Sequence, residues 1–61
     1  MTVYDLNLMT YIYQRVIIKN FDEGIIYDGY IECIPIDLES RKISCFAAIE
    51  DKLIIDIYEE D

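Results

Sequence analysis

The sequence contains no histidine and no tryptophan, and it has only two glycines, one proline and two cysteines among 61 residues. Without histidine, the chain lacks the imidazole base that Ser–His and Cys–His nucleophiles require. Two isolated glycines cannot form a glycine-rich phosphate loop. The carboxylates lie beside turn signals, where acidic residues are ordinarily solvated, and so short a chain has little volume for a cleft. We therefore expect no catalytic residues and no enzymatic activity.

The two cysteines, Cys33 and Cys45, are too few for a closed zinc site, which needs four nitrogen or sulfur ligands. We therefore expect no metal and no cofactor. The first residues show neither a basic region nor a long apolar run, so no secretory leader is expected and the compartment is expected to be the cytoplasm. In that reducing environment the cysteines are expected to be buried thiols, with a disulfide as the alternative.

Basic residues are also scarce, since five of them stand against thirteen acidic residues and the net charge is −8. Duplex DNA or RNA is therefore not an expected partner, because affinity for it comes from Lys and Arg that neutralise phosphates. Apolar runs such as Val16–Ile18 and Leu53–Ile55 fall far below the ~20 residues that span a bilayer, so no membrane partner is expected. The acidic charge permits a basic protein partner.

Apolar residues are abundant, at 54% of the chain, and they include six tyrosines and two phenylalanines. A domain of this size buries only about 60% of the surface of its unfolded chain, so its core is thin. Small domains without a metal or a disulfide usually gain stability from a partner subunit. This combination predicts a homo-oligomer, with a dimer favoured.

The first nine residues favour a short helix. Thr2 and Asp5 have the spacing of a capping box, with Asp in place of Glu, and Val3 and Leu6 recur at a helical interval. An extended N-terminal strand is the alternative, because the β-branched Thr2 and Val3 favour strands by propensity.

The rest of this single domain, which spans residues 1–61, predicts an antiparallel sheet of four or five strands. From Tyr11 onwards β-branched and aromatic residues dominate, and Asn20–Gly24 suits a hairpin loop. Asp28–Gly29 fits either a hairpin turn or a bulge inside one longer strand, and the bulge is favoured because the hairpin arms would be short. Glu50–Lys52 is expected to form the last turn, and residues 59–61 a solvated acidic tail. A small bent barrel without the helix is the alternative architecture.

Pro35 lacks an N–H, so the second strand is expected to end after Cys33, and residues 36–40 are expected to form a turn or a 3₁₀ coil. In the strands, alternation assigns one face to the core. The expected core is Leu6, Val16, Ile18, Ile43, Cys45, Ala47, Leu53, Ile55 and Ile57.

The opposite face of the expected sheet carries large apolar residues on several strands, whereas a face that meets water normally alternates with polar residues. A second core layer or a closed barrel would explain this pattern, and an interface with a second chain is the functional interpretation. One isoleucine of the pair Ile25–Ile26 belongs to this face. The predicted interface consists of Ile17, Phe46, Ile54 and Tyr58.

The tyrosines give a second functional hypothesis, because their rings can stack on flat ligands. A nucleotide could bind where several tyrosines converge with a basic side chain at a subunit interface. The residues of this alternative ligand site are Tyr13, Arg15, Tyr27, Tyr30 and Arg41. The structural interpretation is that half-buried tyrosines are simply good strand formers.

The opening Met1–Leu6 resembles the start of a group of small uncharacterised proteins encoded by phages and mobile elements of Gram-positive (Firmicutes-type) bacteria. Gly29, Ile34–Pro35 and Leu53–Ile57 resemble later features of the same group, whereas Asn7–Tyr13 departs from it. The resemblance implies no known activity and no site residues. Because small acidic phage proteins often occupy a host protein, it implies a module that binds and inhibits a host defence protein.

Overall fold

A computed structural model describes residues 1–58, which contain two short helices and four strands. The acidic tail expected at Glu59–Asp61 lies outside these residues. The expected α+β class, with a short N-terminal helix and a four-stranded sheet, is confirmed. In chain order the elements are α1 (Val3–Leu8), β1 (Arg15–Asn20), β2 (Gly24–Tyr30), a 3₁₀ turn (Ile31–Cys33), α2 (Ile36–Glu39), β3 (Ile43–Ile49) and β4 (Lys52–Ile57).

Helix α1 begins at the capping box that the sequence predicts. The Thr2 hydroxyl accepts a hydrogen bond from the Asp5 backbone N–H at 3.2 Å, and the Asp5 carboxylate accepts one from the Thr2 backbone N–H at 3.0 Å. The bond from the Thr2 backbone N–H, with a further contribution from the Thr2 side chain, holds the pKa of the Asp5 carboxyl below its ordinary value. A helix of six residues cannot stand alone in water, so α1 depends on the burial of Val3 and Leu6. The alternative of an N-terminal strand is wrong.

The sheet is mixed, with the strand order β2-β1-β4-β3. β1 pairs with β2, and β3 with β4, as antiparallel hairpins, but the two central strands β1 and β4 run parallel. The sheet is therefore not wholly antiparallel as expected, because alternation within a strand does not specify its neighbour. The sheet is open, so the barrel alternative is wrong. Its two edge strands are β2 and β3.

Two turns close the hairpins. In the first, the Asn20 side chain accepts a hydrogen bond from the Asp22 N–H at 2.8 Å, and Gly24 has a φ of 76°. In the second, Glu50 takes a φ of 57°, a backbone conformation typical of two-residue hairpin turns. Asp28–Gly29 lies inside β2, so the prediction of one longer strand is confirmed. The bulge falls instead at Ile26, where the register shifts between the partners of Ile18 and Lys19.

Two segments differ from the expected strands. Tyr11–Tyr13 is a turn, closed by a 2.9 Å hydrogen bond from the Gln14 N–H to the Tyr11 carbonyl, and β1 begins only at Arg15. The second strand stops at Tyr30, because Ile31 turns inward and is fully buried. Pro35 then precedes α2, which takes the place of the expected turn or 3₁₀ coil.

The core lies between the helices and one face of the sheet, here called the inner face. Five expected core residues are buried, and they are Leu6, Val16, Ile18, Ile55 and Ile57. Ile43 and Leu53 pack against this cluster while staying partly exposed. The sequence analysis missed four buried residues from the helices and the connection, namely Val3, Ile31, Ile34 and Leu38.

Strand β3 contains a bulge that reverses its expected facing. Ile43 pairs with Ile57, but the register shifts before Cys45, which pairs with Asp56 on the opposite face. A one-residue shift moves every following side chain to the other face of a sheet. Cys45 and Ala47 are therefore exposed, and their assignment to the core is wrong. Phe46 lies on the inner face beside Ile55, so its assignment to the opposite face is also wrong.

The cysteines also differ from expectation. Cys33 and Cys45 are both free and both exposed, so they are neither buried thiols nor joined in a disulfide. Cys33 is the last residue of the 3₁₀ turn, and Cys45 follows the β3 bulge. In each case the local backbone turns the side chain away from the core that the strand pattern predicted.

Candidate functional site

The face of the sheet opposite the core, here called the outer face, has no other element packed on it within residues 1–58. Both helices and the 3₁₀ turn contribute to the cluster on the inner face. Every strand sends three side chains outward in register. The outer face consists of Arg15, Ile17 and Lys19 on β1; Ile25, Asp28 and Tyr30 on β2; Cys45, Ala47 and Ile49 on β3; and Lys52, Ile54 and Asp56 on β4.

The centre of the outer face is apolar and two ion pairs flank it. Ile17 and Ile54 are paired neighbours on the two central strands. On one side the Arg15 guanidinium lies 3.5 Å from the Asp28 carboxylate, and on the other the Lys19 ammonium lies 3.7 Å from Asp56. Because all four charged side chains are partly exposed, these pairs add little stability.

The charge of the outer face differs from that of the whole chain. Among residues 1–58, it carries three basic residues, Arg15, Lys19 and Lys52, but only two acidic ones, Asp28 and Asp56. A second acidic chain would therefore meet less repulsion at this surface than the net charge of −8 implies.

Cys45 does not have the environment of a reactive thiol. Its thiol donates a hydrogen bond to the Asp56 carboxylate over 3.2 Å. That bond raises the pKa of Cys45 above its ordinary value. Since the thiolate is the nucleophilic form, a raised pKa makes the thiol less reactive at neutral pH.

A cavity of about 460 Å³ opens at the end of the sheet where Lys19, Cys45 and Asp56 lie. Phe21, at the tip of the β1–β2 hairpin, also lines it and is 94% exposed. A second cavity of about 360 Å³ lies between α1 and α2, and it is lined by Tyr4 of α1 and by residues of α2. Within residues 1–58, no group of three or more acidic or cysteine side chains has the geometry of a metal site.

The residues of the predicted ligand site lie in four separate places. Arg15 and Tyr30 do meet, with the guanidinium carbon 5.9 Å from the ring centre. Tyr27 lies on the inner face, where its hydroxyl donates a 2.7 Å hydrogen bond to the Tyr30 carbonyl, and burial raises its pKa. Tyr13 packs edge-on against Tyr11 before β1, and Arg41 precedes β3 at the far edge of the sheet.

The residues of the predicted interface are only partly brought together. Ile17 and Ile54 form the half-buried centre of the outer face. Tyr58 follows β4 and is exposed, and its backbone carbonyl accepts a 2.8 Å hydrogen bond from Arg41. Phe46 is on the inner face at the β3 edge and is 50% exposed.

The sequence analysis missed the edge formed by β3. This strand has seven residues, Ile43–Ile49, with no charged residue and no proline or glycine among them, and six of the seven are exposed. It follows Arg41–Lys42 and precedes Glu50–Asp51. This pattern of two bases, an uncharged strand and two acids was visible in the sequence, but its meaning depends on β3 being at an edge.

The backbone of β3 shows which of its groups face away from the sheet. The Tyr58 N–H donates to the Lys42 carbonyl at 3.0 Å, so Lys42 faces β4. At the other end, Ile49 and Lys52 flank the two-residue turn. The two residues that flank such a turn point their backbone N–H and C=O groups at each other, so those of Ile49 point to β4. Backbone groups alternate along a strand, so those of Ala47 point to β4 and those of Phe46 and Ala48 point to the open edge.

Part of this edge is already covered. The N-terminal segment runs antiparallel beside the start of β3, where the Val3 N–H donates to the Arg41 carbonyl at 3.0 Å and the Ile43 N–H donates to the Met1 carbonyl at 2.9 Å. The uncovered edge therefore begins after Ile43 and extends to Ile49.

Compared with known proteins, the chain matches no family model, no curated protein and no solved structure. Among the residues described, no helix has the length and apolar character needed to cross a membrane.

Proposed function

We propose that this chain is a non-enzymatic protein-interaction module that associates with itself as a dimer. One observation carries the proposal: within residues 1–58 nothing covers the outer face of the sheet or the β3 edge after Ile43, although both surfaces bear apolar side chains. Ile25 and Ile49 are 62% and 57% exposed on the outer face, and Phe46 is 50% exposed at the edge. Large apolar side chains left exposed on a sheet face and at a strand edge support an interaction surface.

The second partner of this module is proposed to be a host protein, bound and inhibited in the cytoplasm. The similarity of the opening residues to phage-encoded proteins supports a host defence protein as the target. The two exposed free thiols, Cys33 and Cys45, support the reducing cytoplasm as the compartment. The outer face suits this partner because its mixed charges and its apolar centre are both accessible.

The experiment that tests self-association is the native mass, measured by light scattering behind a sizing column over a dilution series. A mass of twice 7.2 kDa that falls on dilution supports the proposal. A mass of one chain at every concentration, up to the millimolar range, contradicts it.

A nucleotide-binding module is the second candidate, and the contact between Arg15 and Tyr30 favours it. A guanidinium above a tyrosine ring offers both a phosphate contact and a stacking surface. A thermal-shift measurement with ATP, GTP and their diphosphates tests this candidate, because a ligand at a hundred times its Kd adds about 2.7 kcal/mol of stability. No shift with any of these nucleotides would remove it.

A further inference from the structure

We infer that the dimer forms by antiparallel pairing of β3 with β3 of a second copy, so that two four-stranded sheets become one continuous sheet. The inference rests on the proposed self-association. It adds which strand forms the contact and how the two copies are oriented. An uncovered sheet edge is a template on which another strand adds by main-chain hydrogen bonds.

The open backbone groups of β3 are the first support. Phe46 and Ala48 point their N–H and C=O groups away from β4, and within residues 1–58 no backbone segment covers them. The two residues are separated by one position, which is the spacing of successive hydrogen-bonding residues on one side of an antiparallel strand. A second copy of β3 presents the same groups in the same spacing.

The side chains of β3 are the second support. Phe46 and Ala48 lie on the inner side of the edge, and Cys45, Ala47 and Ile49 lie on the outer side. All five are exposed in the single chain. Pairing with a second strand would cover apolar side chains on both faces of the sheet, with no charged residue of β3 taken out of water.

The charges on either side of β3 determine the direction of pairing. Arg41–Lys42 precede the strand and Glu50–Asp51 follow it. In an antiparallel pair, the basic end of each copy lies beside the acidic end of the other, so attraction acts at both ends. A parallel pair would put bases beside bases and acids beside acids, which is unfavourable. The second copy is therefore a complementary partner for this edge only in the antiparallel orientation.

The N-terminal segment determines the register. Met1–Val3 covers the edge beside Arg41–Ile43. The β3 strand of a second copy can therefore pair only with residues that follow Ile43. The longest overlap that avoids this segment places Phe46 opposite Ala48 of the second copy. Ala47 then faces Ala47 of the second copy across the twofold axis. The large ring of Phe46 lies next to the small Ala48 side chain, so the pairing is sterically compatible on the inner side.

Two proline variants test the edge, and they differ by one position. Ala48→Pro removes an N–H that points to the open edge, and proline is tolerated on the free side of an edge strand. We expect it to keep its β-type circular dichroism and to have the mass of a monomer. Ala47→Pro removes an N–H that points to β4, so we expect loss of folded structure. A folded Ala48→Pro variant that remains a dimer would overturn the inference.

A cysteine variant tests the register and does not depend on the fold of the proline variants. In a Cys33→Ser, Cys45→Ser background, Ala47→Cys places two thiols on the twofold axis. Directly opposed residues that do not exchange hydrogen bonds have Cα atoms about 4.5 Å apart, which a disulfide can bridge. With oxidised glutathione, we expect at least tenfold more disulfide-linked dimer than for Ile25→Cys, an exposed position at the β2 edge. Equal yields at the two positions would overturn the inference.

Self-association and pairing through the β3 edge can be contradicted separately. If the unmodified chain is a monomer at every concentration, the proposed self-association fails and the edge inference falls with it. If the unmodified chain is a dimer and the folded Ala48→Pro variant is a dimer as well, only the edge inference fails. In that case the outer face, with Ile17 and Ile54 at its centre, becomes the dimer interface.

Discussion

The two edge strands of this sheet are built differently. β2 contains a bulge at Ile26 and a glycine at position 29, and its Asp28 is charged and paired with Arg15 of β1. β3 has its only register shift at its start, before Cys45, and is then regular and uncharged to Ile49. Bulges and charges on an edge strand hinder pairing with another chain. The comparison shows that one edge carries features that prevent association and the other does not.

The aromatic side chains on the inner side of the two edge strands also differ. On β2, Tyr27 folds along its own strand over Gly29 and donates a hydrogen bond to the Tyr30 carbonyl. On β3, Phe46 has no hydroxyl with which to make such a bond, and it is 50% exposed. Tyr27 of β2 is used within the chain, whereas Phe46 of β3 is available to a second copy.

The largest expected effect separates the two sides of β3 itself. Ala47→Pro should unfold the chain, because proline removes a ladder hydrogen bond inside the sheet and a domain this small has little stability to lose. Ala48→Pro should unfold at about the same urea concentration as the unmodified chain does when it is dilute enough to be a monomer. Urea denaturation followed by circular dichroism compares the two. Equal destabilisation would show that the backbone of β3 does not alternate as described.

The next effect concerns the protection of β2. A Cβ atom at Gly29 would lie 2.8 Å from the Tyr27 hydroxyl, so Gly29→Ala should displace that side chain and cost about 1–3 kcal/mol. Gly24→Ala should also destabilise the chain, but for a different reason, because its φ of 76° strains an alanine although nothing lies within 4 Å of its Cβ position. Thermal unfolding of both variants measures the difference. A Gly29→Ala variant that unfolds at the same temperature as the unmodified chain would contradict this packing.

A charge introduced at the β3 edge should weaken association without unfolding the chain. Phe46→Lys places an ammonium where the ring would meet the second copy. We expect the dimer Kd to rise at least tenfold, which is a loss of about 1.4 kcal/mol of association free energy. Ile25→Lys at the β2 edge is the matched control, because Ile25 is also an exposed apolar residue at an edge. Sedimentation equilibrium gives both constants. Similar weakening by the two variants would place the interface elsewhere.

The smallest effect comes from the charges at the ends of β3. Lys42→Glu and Asp51→Lys should each weaken the dimer by about 0.2–1 kcal/mol, because exposed ion pairs contribute little. The double variant exchanges the two charges and should recover most of the affinity. The same dilution experiment, repeated at low and high salt, tests this. If the double variant is as weak as the sum of the single ones, the charges do not face each other across the interface.

Local features of the fold could be predicted from the sequence. The capping box of Thr2 and Asp5 and the hairpin loop at Asn20–Gly24 depend only on neighbouring residues, and both are present. Alternation also identified the buried faces of β1 and β4, including Ile18 and Ile55. These predictions succeed because the interactions that determine them lie within a few residues.

Features that depend on distant residues could not be predicted in this way. The parallel contact of β1 with β4 is not encoded in the alternation of either strand. The bulge before Cys45 reversed the facing of β3, so Cys45, Ala47 and Phe46 were assigned to the wrong faces. Ile31 and Leu38 are core residues from short elements without periodicity.

The candidate site shows the same division. Alternation placed Ile17 and Ile54 together on the outer face, as the structure has them. The β3 edge was not predicted, because a strand is at an edge only through the order of all four strands. The alternative ligand residues were grouped by type, and the fold separates Arg41 from Arg15 and Tyr30.

Amide hydrogen exchange, resolved by residue and repeated over a dilution series, tests the central claim most directly. The account predicts that the Phe46 and Ala48 amides exchange slowly at high concentration and faster on dilution, because a second copy of β3 protects them. The β2 amides that point away from β1 should exchange rapidly at every concentration. Phe46 and Ala48 amides that exchange as fast as those β2 amides at all concentrations would contradict it.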